Sequence, residues 1–191
     1  MEQIRSFVAI ELPDELKREL GQLEDRLKSG GRQGVRWVNP NSVHLTLKFL
    51  GNIDADKTGE ITAAIKESAE GVSAFNLRVE GLGAFPNLRR VQVVWVGLSG
   101  EIDTLGRLQQ QLELNLEKLG FPRESRPFTP HLTLGRINNR VLPDERQALG
   151  RRIAETEFGA DTFRVNAVSL MKSQLTRQGA IYSRISSVNL S

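Results

Sequence analysis

The sequence predicts an α+β protein built as an internal duplication, bilobal, with its helices on the outside. Three observations carry that expectation. A strand, helix, histidine-bearing strand, helix, strand order runs twice along the chain. The helix starts near Asp14 and Glu101 lie 87 residues apart, as do His44 and His131. The tetrapeptide His-Leu-Thr-Leu stands at 44–47 and again at 131–134. The expected organisation is a single domain over 1–191, with pseudo-repeats over about 4–85 and 90–172 and a closing strand over about 180–187.

Residues 4–11 are β-branched and aromatic and stop at Leu12-Pro13-Asp14, where proline suits a first helical turn. Leu16, Leu20, Leu23 and Leu27 then recur at three- and four-residue steps, the mark of an amphipathic helix, and Gly30-Gly31 ends it. Residues 35–38 and 43–50 read as extended segments separated by the turn former Asn39-Pro40-Asn41. Residues 54–69 read as a helix with Ile61, Ala64 and Ile65 on one side, followed by a strand over 75–85. Residues 91–98 are as apolar as a central strand, and 100–120 carry Ile102, Leu105, Leu108, Leu112, Leu116 and Leu119 at helical steps. A loop rich in Pro and Arg leads to the His131 strand. A helix over 143–155 and two strands over 163–172 and 180–187 close the chain.

Bulk properties exclude several classes. Twenty-six Lys and Arg against 23 Asp and Glu leave a net charge of +3, and the signs alternate, so no long basic stripe for duplex binding stands out. The absence of cysteine removes disulfides, thiolate nucleophiles and Cys-based metal sites. No apolar run approaches the roughly 18 residues of a membrane span, and the N-terminus is too quickly charged for a signal peptide, so a soluble cytoplasmic protein is expected.

The only two histidines of the chain occupy the two copies of His-Leu-Thr-Leu, which a structural histidine has no reason to do twice. Strand alternation puts His44, Thr46 and Lys48 on one face and Leu45, Leu47 and Phe49 on the other; His131 and Thr133 likewise oppose Leu132 and Leu134. Two such units facing each other set an imidazole on either side of a bound group. In-line displacement at phosphorus wants a base on one side and an acid on the other, and a side chain of pKa about 6.5 serves as either. The two threonine hydroxyls suit non-bridging phosphate oxygens. Two histidines without a nearby carboxylate partner make a poor zinc site, so no metal or other cofactor is expected. Phe7 and Trp95 suit core packing better than base stacking, and Lys48 is expected at the surface rim.

The flanks of these motifs resemble the 2H phosphoesterases, and within them the RNA 2′,3′-cyclic phosphodiesterases once called 2′-5′ RNA ligases. The resemblance rests on Arg5-Ser6-Phe7-Val8-Ala9-Ile10, on 43–51 (VHLTLKFLG), on Val94-Trp95-Val96-Gly97 and on 128–136 (FTPHLTLGR), and it spans residues 4 to about 187. It implies two antiparallel sheets lining a central cleft, and hydrolysis of a terminal 2′,3′-cyclic phosphate to a 2′-phosphomonoester. It also implies roles: His44 as proton donor, His131 as proton acceptor, Thr46 and Thr133 as phosphate ligands, and Arg136 as the cationic partner. Strict alternation puts Arg136 on the leucine face, so it reaches the cleft only where the strand kinks near Gly135. The implied partner is RNA with a cyclic phosphate end or a small cyclic nucleotide, bound by a monomer away from any membrane. Joining of tRNA halves through a 2′-5′ bond and non-catalytic binding of RNA ends remain open alternatives.

Overall fold

The structure, a computed structural model, describes residues 1–29 and 34–191. Its elements are β1 (Gln3–Glu11), α1 (Asp14–Lys28), β2 (Val35–Trp37), β3 (His44–Asp54), α2 (Thr58–Ala69), β4 (Phe75–Phe85), β5 (Val93–Gly100) and α3 (Ile102–Glu117). They continue with β6 (His131–Ile137), α4 (Pro143–Glu155), β7 (Gly159–Val165), β8 (Ala167–Thr176) and β9 (Gly179–Asn189). The expected Gly30-Gly31 stop after α1 lies outside the described residues.

The strands form two sheets, paired antiparallel throughout, one in the order β3-β1-β8-β9 and the other in the order β2-β6-β5-β4-β7. This is the α+β, two-sheet architecture the sequence predicts. Each sheet draws on both halves of the chain: β1 and β3 share one sheet with β8 and β9, joined through the β1–β8 pair, while β2 and β4 share the other with β5, β6 and β7. The expected single strand over 163–172 is two strands, β7 in the five-stranded sheet and β8 in the four-stranded one. The reason is a phase slip. Buried apolar positions run Phe163, Val165, then Val168, Leu170, so the period of two breaks at Asn166. The Asn166 carbonyl leaves the strand there to accept from the Leu190 amide at 2.8 Å.

Helices α2 and α3 cover the four-stranded sheet, and α1 and α4 the five-stranded one. Helix α1 starts after Pro13 in extended conformation, with Asp14 and Glu15 in its first turn and Arg26 and Lys28 in its last, charges that suit the helix dipole. In α3 the leucine ridge Leu105, Leu108, Leu112 and Leu116 is fully buried, each side chain stabilising the fold by roughly 1.5–3 kcal/mol. Arg152 of α4 donates to the Leu27 carbonyl at 3.1 Å, which ties the last turn of α1 to α4. Among the described residues no helix is long and apolar enough to cross a membrane.

Glu24 is the exception on the buried face of α1. Its side chain is 1% exposed, Lys28 stands 3.9 Å away, and neither carboxylate oxygen has a hydrogen-bond partner among the described residues. Burial pushes its pKa up to about 8, against the pull of Lys28. A carboxyl whose folded pKa is raised holds a proton that the unfolded chain releases, so stability is lost as pH rises from about 4.5 towards 8. Glu24→Gln removes that loss. Denaturant melts at pH 5, 7 and 8.5 are expected to show a variant advantage that grows with pH, and a pH-independent difference would show that Glu24 is ionised in the fold.

Candidate active site

An unpaired residue just after the threonine of each histidine strand sets the composition of the cleft; β3 has a second one further on, at Leu50. Along β3 the partners on β1 run His44 with Glu11, Leu45 with Ile10, Thr46 with Ala9, then Lys48 with Val8 and Phe49 with Phe7. Leu47 has no counterpart, which makes it a β-bulge. Along β6 the partners on β5 run His131 with Gly97, Leu132 with Val96, Thr133 with Trp95, then Gly135 with Val94 and Arg136 with Val93, and Leu134 is the unpaired residue. Directly paired residues share a face, and Val8, Ile10, Val94 and Val96 are fully buried or nearly so on the helix side. His44, Thr46 and Phe49 therefore share the opposite face of one sheet, and His131, Thr133 and Arg136 that of the other.

Two expectations change accordingly. Beyond the bulge Lys48 turns to the buried side, 3% exposed, and Phe49 turns to the cleft side, 64% exposed; the rim position expected for Lys48 is wrong. Arg136, by contrast, shares the face of His131 and Thr133 through the second bulge, and it is exposed. Strands β3 and β6 come within 8 Å of each other between Cα atoms, so the strands that carry the two motifs adjoin across the sheets.

Both bulge carbonyls leave their ladders and are taken up elsewhere. Leu47 O accepts from the Gln109 side-chain amide of α3 at 3.4 Å, and Leu134 O accepts from the Val38 amide at 2.8 Å.

The imidazoles are held alike. A carbonyl only accepts, so the 2.8 Å contact from His44 Nδ1 to Ser42 O and the 2.7 Å contact from His131 Nδ1 to Thr129 O make Nδ1 the protonated nitrogen in each ring. Among the described residues Nε2 of neither ring has a hydrogen-bond partner. His44 stacks on Phe7 at 4.6 Å and meets the edge of Tyr182 at 4.9 Å. Phe7 is buried, not in the main core but in a small cluster with Ala9 and Met171, against which Tyr182 packs. His131 meets the edge of Phe85 at 4.9 Å, and Phe85 leans on Trp95 at 5.4 Å. Gly83 is required here, because a Cβ at that position would stand 2.2 Å from the Trp95 ring.

Burial holds the His44 pKa below the ordinary imidazole range, opposed by the Ser42 hydrogen bond and the Glu11 carboxylate. Glu11, opposite His44 in the ladder, is pushed up by burial but held low overall by hydrogen bonds from Arg184 at 2.7 Å and Ser169 at 2.8 Å. Sequence reasoning missed Phe49, Tyr182, Phe85, Glu11 and Arg184. The bulges were legible in principle, since the apolar steps 45, 47, 50 and 132, 134, 137 lengthen from two to three.

Lys48 connects the motifs from beneath. Its ammonium donates to Glu113 of α3 at 2.8 Å and to the Pro122 carbonyl at 2.8 Å. Glu113 also accepts from Gln109 at 3.1 Å and from the Glu124 amide at 3.3 Å. The ion pair thus joins the bulge of the His44 strand to the loop that delivers Thr129 and His131. Lys48→Met strands a buried carboxylate and is expected to destabilise by roughly 3–5 kcal/mol, whereas Lys48→Met with Glu113→Leu recovers most of that loss. Chemical denaturation of the three proteins checks it, and equal losses in the single and double variants would show that the pair is not coupled.

A family model described as the 2′-5′ RNA ligase superfamily matches residues 12–177. The RNA 2′,3′-cyclic phosphodiesterase of Methanothermobacter thermautotrophicus is 35% identical over 95% of this chain and 96% of its own length. That of Aquifex aeolicus is 32% identical over 96% and 95%. Among solved structures, E. coli LigT complexed with 3′-AMP superposes with a TM-score of 0.77 at 26% identity, covering 100% of this chain and 99% of that one. TT0787 of Thermus thermophilus gives 0.77 at 26% identity over 98% of each. The fold and the twin His-x-Thr strands define a 2H phosphoesterase. The chain belongs to the 2′-5′ RNA ligase superfamily.

Proposed function

We propose that this chain is a cytoplasmic, monomeric RNA 2′,3′-cyclic phosphodiesterase that opens the terminal cyclic phosphate to a 2′-phosphomonoester by metal-independent catalysis between His44 and His131. The observation that carries the reading is the twin Nδ1-to-carbonyl hydrogen bond, which orients two imidazoles with Nε2 free on adjoining strands. The names of the relatives state the same activity for those proteins.

In this reading His131 Nε2 takes a proton from water as the oxygen adds to phosphorus. The bond from phosphorus to O3′ breaks, and His44 Nε2–H gives its proton to that oxygen. The product carries a 2′-phosphate and a free 3′-hydroxyl. Thr46 and Thr133 donate to the non-bridging oxygens, and Arg136 offsets the charge that gathers on them. The assignment of donor and acceptor follows the family resemblance.

Alanine at either His44 or His131 is expected to lower kcat by about 10²–10⁴-fold on a cyclic-ended oligonucleotide, while a chelator leaves the wild type unchanged. Retention of full activity in His44→Ala overturns the reading, and separation of 2′- from 3′-phosphate product checks the bond broken. Running the same reaction with a 5′-hydroxyl RNA end present measures joining against hydrolysis.

A donor must be protonated, and burial lowers the His44 pKa, so activity falls as pH rises through it. The alkaline limb of kcat/KM, which reports free enzyme, is expected below the ordinary imidazole value. That of kcat should lie higher, because a bound phosphate anion favours the protonated ring. Glu11→Gln removes a charge that raises the His44 pKa and should move the kcat/KM limb further down. A limb that does not respond to Glu11→Gln would detach it from His44.

A further inference from the structure

Strand β2 sets Arg36 directly opposite Arg136 of β6. The flanking pairs, Val35 with Ile137 and Trp37 with Gly135, turn to the helix side, where a Cβ on Gly135 would stand 2.8 Å from Val35 and 3.1 Å from Trp37. Arg36 and Arg136 therefore share the cleft face with Thr133 and His131, and both are exposed. Like charges directly opposite on one face of a sheet destabilise it.

Three exposed arginines have carboxylate partners, Arg78 with Glu80, Arg123 with Glu117 and Arg184 with Glu11, while others, Arg89, Arg90 and Arg164 among them, have none among the described residues. What sets Arg36 and Arg136 apart is that they stand directly opposite each other on paired strands. Among the described residues no carboxylate lies within ion-pair distance of Arg36 or Arg136, and residues 30–33 are Gly, Gly, Arg and Gln, which contribute none. Like charges set opposite each other without local compensation mark a functional position more often than a structural one. An anion between the two guanidiniums restores the balance.

Its chemistry follows from its place. On the β5 side of the ladder the cleft-facing residues step from Gly97 to Trp95 to Val93, opposite His131, Thr133 and Arg136 in turn. Each step is roughly 7 Å, so Arg136 lies one step beyond Thr133, and Arg36 one strand spacing of about 5 Å further out. A phosphate ester held between the histidines and threonines leaves this pair about one nucleotide away, within reach of the adjoining phosphate of the same strand.

We propose that Arg36 and Arg136 clamp the internal phosphodiester next to the cyclic end, so that the cleft selects an RNA terminus over a free cyclic mononucleotide. The proposal rests on the phosphoesterase reading above. Arg136 faces both phosphates, and Arg36 supplies the second charge at the outer one.

The test compares wild type with Arg36→Ala on a cyclic-ended trinucleotide and on a 2′,3′-cyclic mononucleotide, at low and moderate salt, with Tm measured alongside. The ratio of kcat/KM for trinucleotide over mononucleotide is expected to fall about tenfold, and Arg36→Lys to recover part of it. The slope of log affinity against log salt should shrink by about one, and Tm should hold or rise as the opposed charges are relieved. A ratio within twofold of wild type overturns the clamp, and so does a lowered Tm with an unchanged salt slope, which assigns Arg36 a structural role. Should wild type turn over neither substrate, the phosphoesterase reading fails on its own. Binding of a trinucleotide ending in a 3′-phosphate then still decides the clamp: a tenfold weaker affinity in Arg36→Ala supports it, and equal affinity overturns it.

Discussion

A strand interrupted by one unpaired residue exchanges its two faces beyond the interruption, and the whole cleft follows from that exchange at Leu47 and Leu134. Before each bulge, ordinary alternation sends the imidazole and the threonine one way and the leucines the other. After it, a residue five positions beyond each histidine comes back to the same face. In one strand that residue is Phe49 and in the other Arg136. The duplicated motifs are thus alike at the histidine and threonine positions and differ five positions on, with an exposed aromatic ring in one strand and an exposed guanidinium in the other.

A bulge frees a backbone carbonyl, and an unsatisfied carbonyl in a buried strand is costly. The two are satisfied by different means. Gln109 of α3 takes the first as part of a buried array with Glu113 and Lys48, and the Val38 amide, directly after β2, takes the second. The short strand β2 therefore has two consequences at once: it secures the bulge behind Thr133, and it carries Arg36 to the cleft face.

Helices and most strands were legible because their apolar spacing is a local property. The leucine ridges of α1 and α3 and the start of α4 at Pro143 fall where periodicity and proline place them. The histidines and their threonines were legible because an identical tetrapeptide recurs. What escaped depended on pairing between distant segments. The side to which Lys48 turns is set by its partner Val8, the parting of the chain at Asn166 shows only in the pairing of β7 with β4 and of β8 with β1, and the edge-on approach of Tyr182 to His44 is set by β9, more than 130 positions away along the chain. Burial of Glu24 likewise contradicts its charge, and only the packed helix reveals it.

The exchange of strands between the halves has a mechanical meaning. The chain passes between the two sheets four times, from β1 to β2, β2 to β3, β3 to β4 and β7 to β8. Two lobes on a single linker open and close by bending it. Lobes laced together at several places lose that freedom, and the spacing between the histidine strands behaves as a fixed gauge. What is left to move is the side chains at the rim, with Phe49 the most open of the aromatic groups around His44.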